Sequence, residues 1–288
     1  MQKIFNPKAI KALAVDLDGT SLLPDNSMGE RTVQCFKRLL SQGLQVIICT
    51  GRAVESSSPF FSTIGASGPM VFFNGAEIVN IPDLKLIKSS FLNIETVDYG
   101  IDLARSTGTH FQVFLSPFDS ARLQPQRNSH WELLLAEKYT PEAEMYNKHT
   151  GINYMITDIK KVIAQHGLNG VVKAMFIAEK NKIHEIRQKL TERFGSSIYT
   201  ANTFPMFLEI MNAGVSKGEG LKTVMDCRGL KKEEIIAFGD EENDLPLFEA
   251  AGFCASPSNA RENVRDAADF IFGPNTEESL ATFLEKSF

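Results

Sequence analysis

Four short, largely apolar runs, Ala12–Val15, Gln45–Cys49, Met70–Phe73 and Ile235–Phe238, each stop abruptly at a polar or glycine-bearing segment. Runs of this length that are apolar throughout, and not on alternate residues only, fit strands covered on both faces. Between the first two, Val33, Phe36 and Leu40 recur at helical spacing. The implied fold is α/β, a Rossmann-like parallel-sheet core. Ser27 with Glu30, and Ser216 with Glu219, have capping-box spacing and open predicted helices that Gly43 and Gly229 close. Further strands are expected over Gly252–Ala255 and Phe270–Phe272, and helices over Asn259–Ala267 and Thr276–Lys286.

The middle of the chain follows another pattern. A helix over Ile94–Ser106 precedes hairpin-like strands at Thr109–Leu115 and Ala121–Leu123; then come a strand at Val171–Ile177, a helix at Lys182–Phe194 and strands at Ile198–Ala201 and Phe207–Met211. Several of these alternate polar and apolar residues, which predicts a sheet with one open face. The expected organisation is a core of 1–83 and 213–288 with an α+β cap domain, 84–212, inserted between its halves. Trp131 is expected to pack a cap helix.

At 288 residues, 43% hydrophobic and 23% charged, the chain is long enough to bury a sizeable core. Its 35 acidic against 30 basic residues leave a net charge of −5, which argues against a protein built to coat nucleic acid or anionic membrane. No apolar run approaches the roughly 20 residues of a membrane span, and the first residues lack the apolar stretch of a signal peptide. Cys35, Cys49, Cys227 and Cys254 lie far apart without a C-x-x-C pair, so neither disulfides nor zinc are expected, and a cytoplasmic location is.

The chemistry lies where the strands end: Asp16 and Asp18 after the first, Thr50 after the second, Asp240 and Asp244 after the Ile235–Phe238 run, and Lys217 at the start of a helix. Ligands of open parallel sheets bind beyond the carboxyl ends of the strands, so these distant residues can converge. Two carboxylates at i and i+2 on extended chain share a side. Like charges about 4 Å apart repel by roughly 4 kcal/mol at an effective dielectric of 20, so a cation or a proton must offset them. Carboxylates without a nearby histidine suit Mg²⁺ better than zinc. Taken singly, D-x-D-G-T could be an Asp-Gly turn, G-D-x-x-N-D an acidic helix start, and Lys217 a solvated surface residue. Their order together points to phosphoryl transfer.

That ordered set resembles the haloacid dehalogenase superfamily, specifically its Cof-type phosphatases, which carry a large C2-type cap between the second and third motifs. Asp16-Leu17-Asp18-Gly19-Thr20 resembles the first motif, Thr50-Gly51-Arg52 the second, Gly214-Val215-Ser216-Lys217-Gly218 the third and Gly239-Asp240-Glu241-Glu242-Asn243-Asp244 the fourth. Asn74-Gly75-Ala76 resembles the segment before the cap, whereas Cys254–Ala260 departs from the usual Met-Gly-containing version. The resemblance implies a phosphatase of a small phosphorylated metabolite, a sugar phosphate or similar monoester. Asp16 would be the nucleophile that forms an aspartyl-phosphate, Asp18 the general acid and base, Thr50 a phosphoryl donor and Lys217 the neutralising cation. Mg²⁺ would be held by Asp16, Asp240 and the main-chain carbonyl of Asp18, with Asp244 acting through water or by holding Lys217. Gly51, Asn74 and Asn243 would contact substrate.

Arg122, Arg127, Asn128 and His130 are read as ordinary surface rather than as ligands of a sugar or second phosphate. Gly214–Gly218 also satisfies G-x-S-x-G, but all five histidines precede Ser216, opposite to the order of an α/β-hydrolase triad. A signalling receiver has no acidic motif after its lysine, and no Walker pattern is present. A phosphomutase of the same superfamily and a non-catalytic metabolite-binding module stay as alternatives.

Overall fold

The computed structural model describes residues 5–116, 133–152, 154–166 and 170–288. The expected strand at Ala121–Leu123, Arg122, Arg127, Asn128, His130 and Trp131 lie outside the described residues. The chain divides into two compact units: Met1–Arg52, Ser57–Lys88 and Ser216–Phe288 form the first, and Ala53–Ser56 with Ser89–Val215 the second.

The first unit opens with β1 (Ala12–Val15), α1 (Glu30–Ser41), β2 (Gln45–Ile48), α2 (Val54–Ile64), β3 (Gly68–Phe72), β4 (Glu77–Ile81) and β5 (Lys85–Ser89). After the insertion come α7 (Lys217–Arg228), β12 (Ile235–Phe238), α8 (Leu245–Ala250), β13 (Phe253–Pro257), α9 (Glu262–Ala267), β14 (Phe270–Phe272) and α10 (Ser279–Ser287). A five-stranded parallel sheet runs β14-β13-β12-β1-β2, with Val15 level with Ile48 on one side and Phe238 on the other. This is the α/β sheet that the continuous apolar runs imply. One face buries Ala12, Ala14 and Ile47 against Leu221, Val224 and Val264, while Phe238 on the other packs against the rings of Phe272 and Phe283.

Two local expectations fail, for identifiable reasons. The Met70–Phe73 run does not extend the parallel ladder: β3 pairs antiparallel with β4 in a separate β3-β4-β5 sheet, and a lone parallel bridge, Cys49 to Val71, ties it to β2. An apolar run reports burial on both faces but not strand direction. β5 hydrogen-bonds to β4, and Lys85–Lys88 group with the first unit; Ala213–Val215 group with the second. Nor do Ser27 and Glu30 form a capping box. Ser27 turns back on Asp25 (2.9 and 2.6 Å), and Thr32 near the start of α1 donates its N–H to Glu278, 246 residues away, at 2.9 Å.

Ser216 does cap α7, accepting from the N–H of Glu219 at 3.1 Å, and Gly229 closes that helix in the left-handed region. The Glu219 carboxylate goes to Lys222 instead of back to the cap, so only half of the box is made. Ser216→Ala should therefore cost about 1 kcal/mol in urea unfolding.

The second unit carries α3 (Ile94–Thr107), β6 (His110–Leu115), β7 (Leu133–Ala136), α4 (Pro141–Thr150), β8 (Tyr154–Ile156), α5 (Ile159–His166), β9 (Val171–Ile177), α6 (Lys180–Phe194), β10 (Ile198–Phe204) and β11 (Phe207–Asn212). They build a six-stranded sheet, β10-β11-β9-β6-β7-β8, antiparallel except between β7 and β8. Phe111, Val113, Phe176 and Leu208 face a core shared with Ile101, Ile186 and Leu190 of the helices. Alternation does hold along β6, but the opposite row is not open to water. His110, Gln112, Lys173 and Glu209 are all buried, with Lys173 and Glu209 joined at 2.7 Å. Polar side chains that pair with one another can be buried as a row.

Cys35, Cys49 and Cys254 are buried, Cys227 is exposed and all four are free. No helix among the described residues is long and apolar enough to cross a membrane.

Candidate active site

Parallel pairing brings the carboxyl ends of β1, β2 and β12 to one edge of the first unit. The N–H of Asp16 donates to Phe238 (3.0 Å) and that of Cys49 to Val15 (2.9 Å), so the loops after the three strands start side by side. Gly19 makes the first loop possible. Its φ of 70° is strained for other residues, and a Cβ there would stand 2.1 Å from Asp240 Oδ2. The Thr20 hydroxyl donates to Asp240 Oδ1 at 2.8 Å, and the Ser21 hydroxyl ties the loop back to the Asp16 carbonyl at 2.7 Å.

Lys217 enters from α7. Gly218 lets that helix end approach α8 closely, since a Cβ would lie 2.2 Å from the Pro246 carbonyl oxygen. Lys217 is only 1% exposed, and its Nζ sits 2.8 Å from Asp16 Oδ1 and 2.7 Å from Asp244 Oδ1. The solvated alternative for this lysine is thereby excluded. Asp244 also closes its own turn, accepting the N–H groups of Asp240 (2.9 Å) and Glu241 (3.1 Å) at Oδ2.

With every group ionised, the buried set of three carboxylates, Asp16, Asp240 and Asp244, and one ammonium, Lys217, carries two negative charges in excess. One oxygen from each carboxylate lies within 4.8 Å of the others. Burial raises the Asp16 carboxyl to about 8 against the pull of Lys217, with Asp244 and Asp18 adding to the rise. Burial likewise lifts Asp240, helped by Asp16 and Asp244. For Lys217, burial works against the charge, yet the two neighbouring carboxylates prevail and hold the ammonium above its usual value. An all-oxygen donor set with surplus negative charge fits a hard divalent cation.

Beside this cluster stand the polar residues of the neighbouring loops. Thr50 is fully buried, and its Oγ1 accepts the N–H of Arg52 at 3.1 Å, which leaves the hydroxyl proton free to be donated elsewhere. Asn74, in the left-handed region at φ 56°, anchors its N–H on the Thr50 carbonyl (2.9 Å) and accepts from Asn243 Nδ2 at 2.9 Å. Gly51 adjoins the Asn74 amide, 3.0 Å from Oδ1 to where a Cβ would be. Asn243 Oδ1 is buried without a hydrogen-bond partner.

Asp18 is placed differently. Its side chain is 40% exposed and pairs with both forks of Arg52, Nε to Oδ2 at 2.7 Å and Nη2 to Oδ1, so its carboxylate is not one of the clustered three. The structure thus gathers Asp16, Lys217, Asp240 and Asp244, sets Thr50, Gly51, Asn74 and Asn243 alongside, and turns the side chain of Asp18 to Arg52. Sequence reasoning gave no role to Thr20 or Arg52, although both lie inside the motifs. A hydroxyl two residues past the second aspartate, and a cation two past Thr50, were the available signals. The atypical Cys254–Ala260 segment forms β13 and then a loop whose Asn259 donates to the Gly19 carbonyl at 3.0 Å.

Known proteins resemble this chain over most of its length. A Bacillus subtilis phosphatase named for 5-amino-6-(5-phospho-D-ribitylamino)uracil is 29% identical over 279 residues, covering 96% of this chain and 97% of the relative. An HMP-PP phosphatase of Cronobacter sakazakii is 26% identical over 239 residues, 83% of this chain and 80% of the relative. A crystal structure of a haloacid dehalogenase-like hydrolase from Bacteroides thetaiotaomicron superposes with a TM-score of 0.82 at 24% identity, covering 97% of this chain and all of that one, a likeness of fold. The haloacid dehalogenase-like hydrolase family matches residues 13–284, and the chain belongs to it.

Proposed function

We propose that this enzyme is a Mg²⁺-dependent phosphatase that hydrolyses a monoester of a small phosphorylated metabolite, a sugar phosphate or similar, through an aspartyl-phosphate on Asp16. The observation that carries the proposal is the buried Asp16 carboxylate, held by Lys217 at 2.8 Å in a cluster where acidic groups outnumber that one cation. In the first half-reaction an Asp16 oxygen attacks phosphorus, the ester P–O bond breaks, and the departing alkoxide takes the Asp18 proton. In the second, water attacks the phosphoryl group, gives a proton to Asp18, and the Asp16–phosphorus bond breaks to release phosphate. Lys217 and the Thr50 hydroxyl neutralise and orient the phosphoryl oxygens, assisted by Asn74, Asn243 and the backbone at Gly51. Asp16, Asp240 and the Asp18 carbonyl would hold Mg²⁺, which when bound offsets charge on the phosphoryl group. Asp244 keeps Lys217 in place.

The substrate class rests on the relatives: the Bacillus phosphatase is named for a phosphate carried on a ribityl chain. The inserted unit, Ser89–Val215, is proposed as a cap domain of the C2 type.

A broad panel of phosphate monoesters, each tested with Mg²⁺ and with excess EDTA, checks the proposal. The expected result is Mg²⁺-dependent phosphate release from at least one sugar-phosphate-like ester. No release from any ester would leave only a binding module. The metal assignment has its own readout in the unreacted protein. Mg²⁺ at a hundredfold excess over Kd should stabilise the wild type by about 2.7 kcal/mol, and Asp240→Asn should abolish that gain. An equal gain in Asp240→Asn would move the metal elsewhere.

A further inference from the structure

We infer that Arg52 is the positioning residue for Asp18, fixing the carboxyl group that exchanges protons with the leaving group and with water. The inference rests on the phosphatase reading above and assigns a role to a side chain that the reading leaves idle.

Asp18 sits on the loop just before Gly19, and its side chain is 40% exposed. A short carboxylate there would be free to turn about both of its torsions, which is poorly suited to a group that must meet an alkoxide oxygen within hydrogen-bond reach. Arg52 removes that freedom. Nε donates to one Asp18 oxygen at 2.7 Å and Nη2 to the other, the two-pronged pairing that fixes both the position and the plane of a carboxylate.

Arg52 is the stiffer partner, with its side chain only 16% exposed. Its backbone is pinned twice: its N–H donates to Thr50 Oγ1 at 3.1 Å, and its carbonyl accepts from Phe73 at 3.0 Å. The guanidinium lies over the Phe60 ring, 5.4 Å from the centroid, and Nη2 reaches Asn26 Oδ1 at 3.3 Å. A braced cation holding a more exposed carboxylate sets where that carboxylate points. The two bonds to Arg52 still leave each Asp18 oxygen a lone pair for a proton from water or for the proton it passes on. Arg52 also begins from the same loop as Thr50, so the phosphoryl donor and the proton-transfer group are registered against each other through one short stretch of backbone.

The experiment compares an alkyl phosphate with 2,4-dinitrophenyl phosphate, whose leaving group departs without a proton. If Arg52 acts through Asp18, Arg52→Gln should lower the rate of aspartate phosphorylation by the alkyl ester by about a hundredfold, a typical share of general acid catalysis, and change the burst rate with the dinitrophenyl ester by less than about threefold. Arg52→Lys keeps the charge but loses the fork, and should recover only part of the alkyl-ester rate. In an Asp18→Asn background, Arg52→Gln should have no further effect on the alkyl ester, since the two residues act as one unit. Arg52→Lys carries the comparison if Arg52→Gln fails to fold by circular dichroism. Equal losses in the phosphorylation step with both esters, a change confined to KM, or losses additive with Asp18→Asn would overturn the positioning role and mark Arg52 as a direct phosphate ligand. Wild-type enzyme that cleaves neither ester would bring down the phosphatase reading and this inference together, so the two failures are distinguishable.

Discussion

Asp16→Asn is expected to lose about four orders of magnitude or more in turnover of an aryl phosphate while remaining as well folded as the wild type in EDTA. In the proposed mechanism the carboxylate oxygen is the nucleophile, and an amide of the same shape does not attack phosphorus at a useful rate. The effect on folding follows from charge. The buried cluster holds three carboxylates against Lys217, so replacing one by a neutral amide removes part of a surplus and leaves the Lys217–Asp244 pair at 2.7 Å intact. The net change in unfolding free energy should be within about 1 kcal/mol. Phosphate release and urea unfolding on the same preparation check both halves. Wild-type turnover in Asp16→Asn would eliminate the covalent route.

Lys217→Met shows the opposite balance and has the largest expected effect on stability. Deleting the cluster's ammonium leaves Asp16, Asp240 and Asp244 without their counter-ion. Removing one partner of a buried ion pair typically costs about 3–5 kcal/mol, because the charge left behind is neither hydrated nor paired. The variant should unfold at markedly lower urea in EDTA, and Mg²⁺ should restore part of the loss by supplying charge to the same carboxylates. Turnover should fall with it, since the phosphoryl oxygens lose their cation. A Lys217→Met protein as stable as the wild type in EDTA would mean that the cluster is not short of positive charge.

Part of this site is legible in the sequence alone. Residues that end buried strands announce themselves, because a run such as Ile235–Phe238 has no other stable environment and its end marks a sheet edge. The Ser216 cap was readable for the same local reason: the hydroxyl and the N–H it serves are three residues apart. What stayed hidden involves partners brought together only by the fold. The start of α1 is served by Glu278 from near the other end of the chain, so a window that sees Ser27 and Glu30 finds a motif that the fold does not use. Likewise, nothing local to Asp18 shows that it faces Arg52 while its neighbour Asp16 faces Lys217. Alternation along β6 was real, but whether a polar row meets water or a pairing partner depends on the strands beside it.

The pairing of β1 has a consequence for how the protein is made. Its neighbour on one side, β2, follows within a few dozen residues, but its other neighbour ends at Phe238. A nascent chain therefore carries a central strand with one edge unpaired until β12 has left the ribosome, whereas Ser89–Val215 emerges as an uninterrupted stretch with its own sheet. The residues after β12, Asp240 and Asp244 among them, thus reach the sheet edge last, and the acidic cluster is complete only once they do.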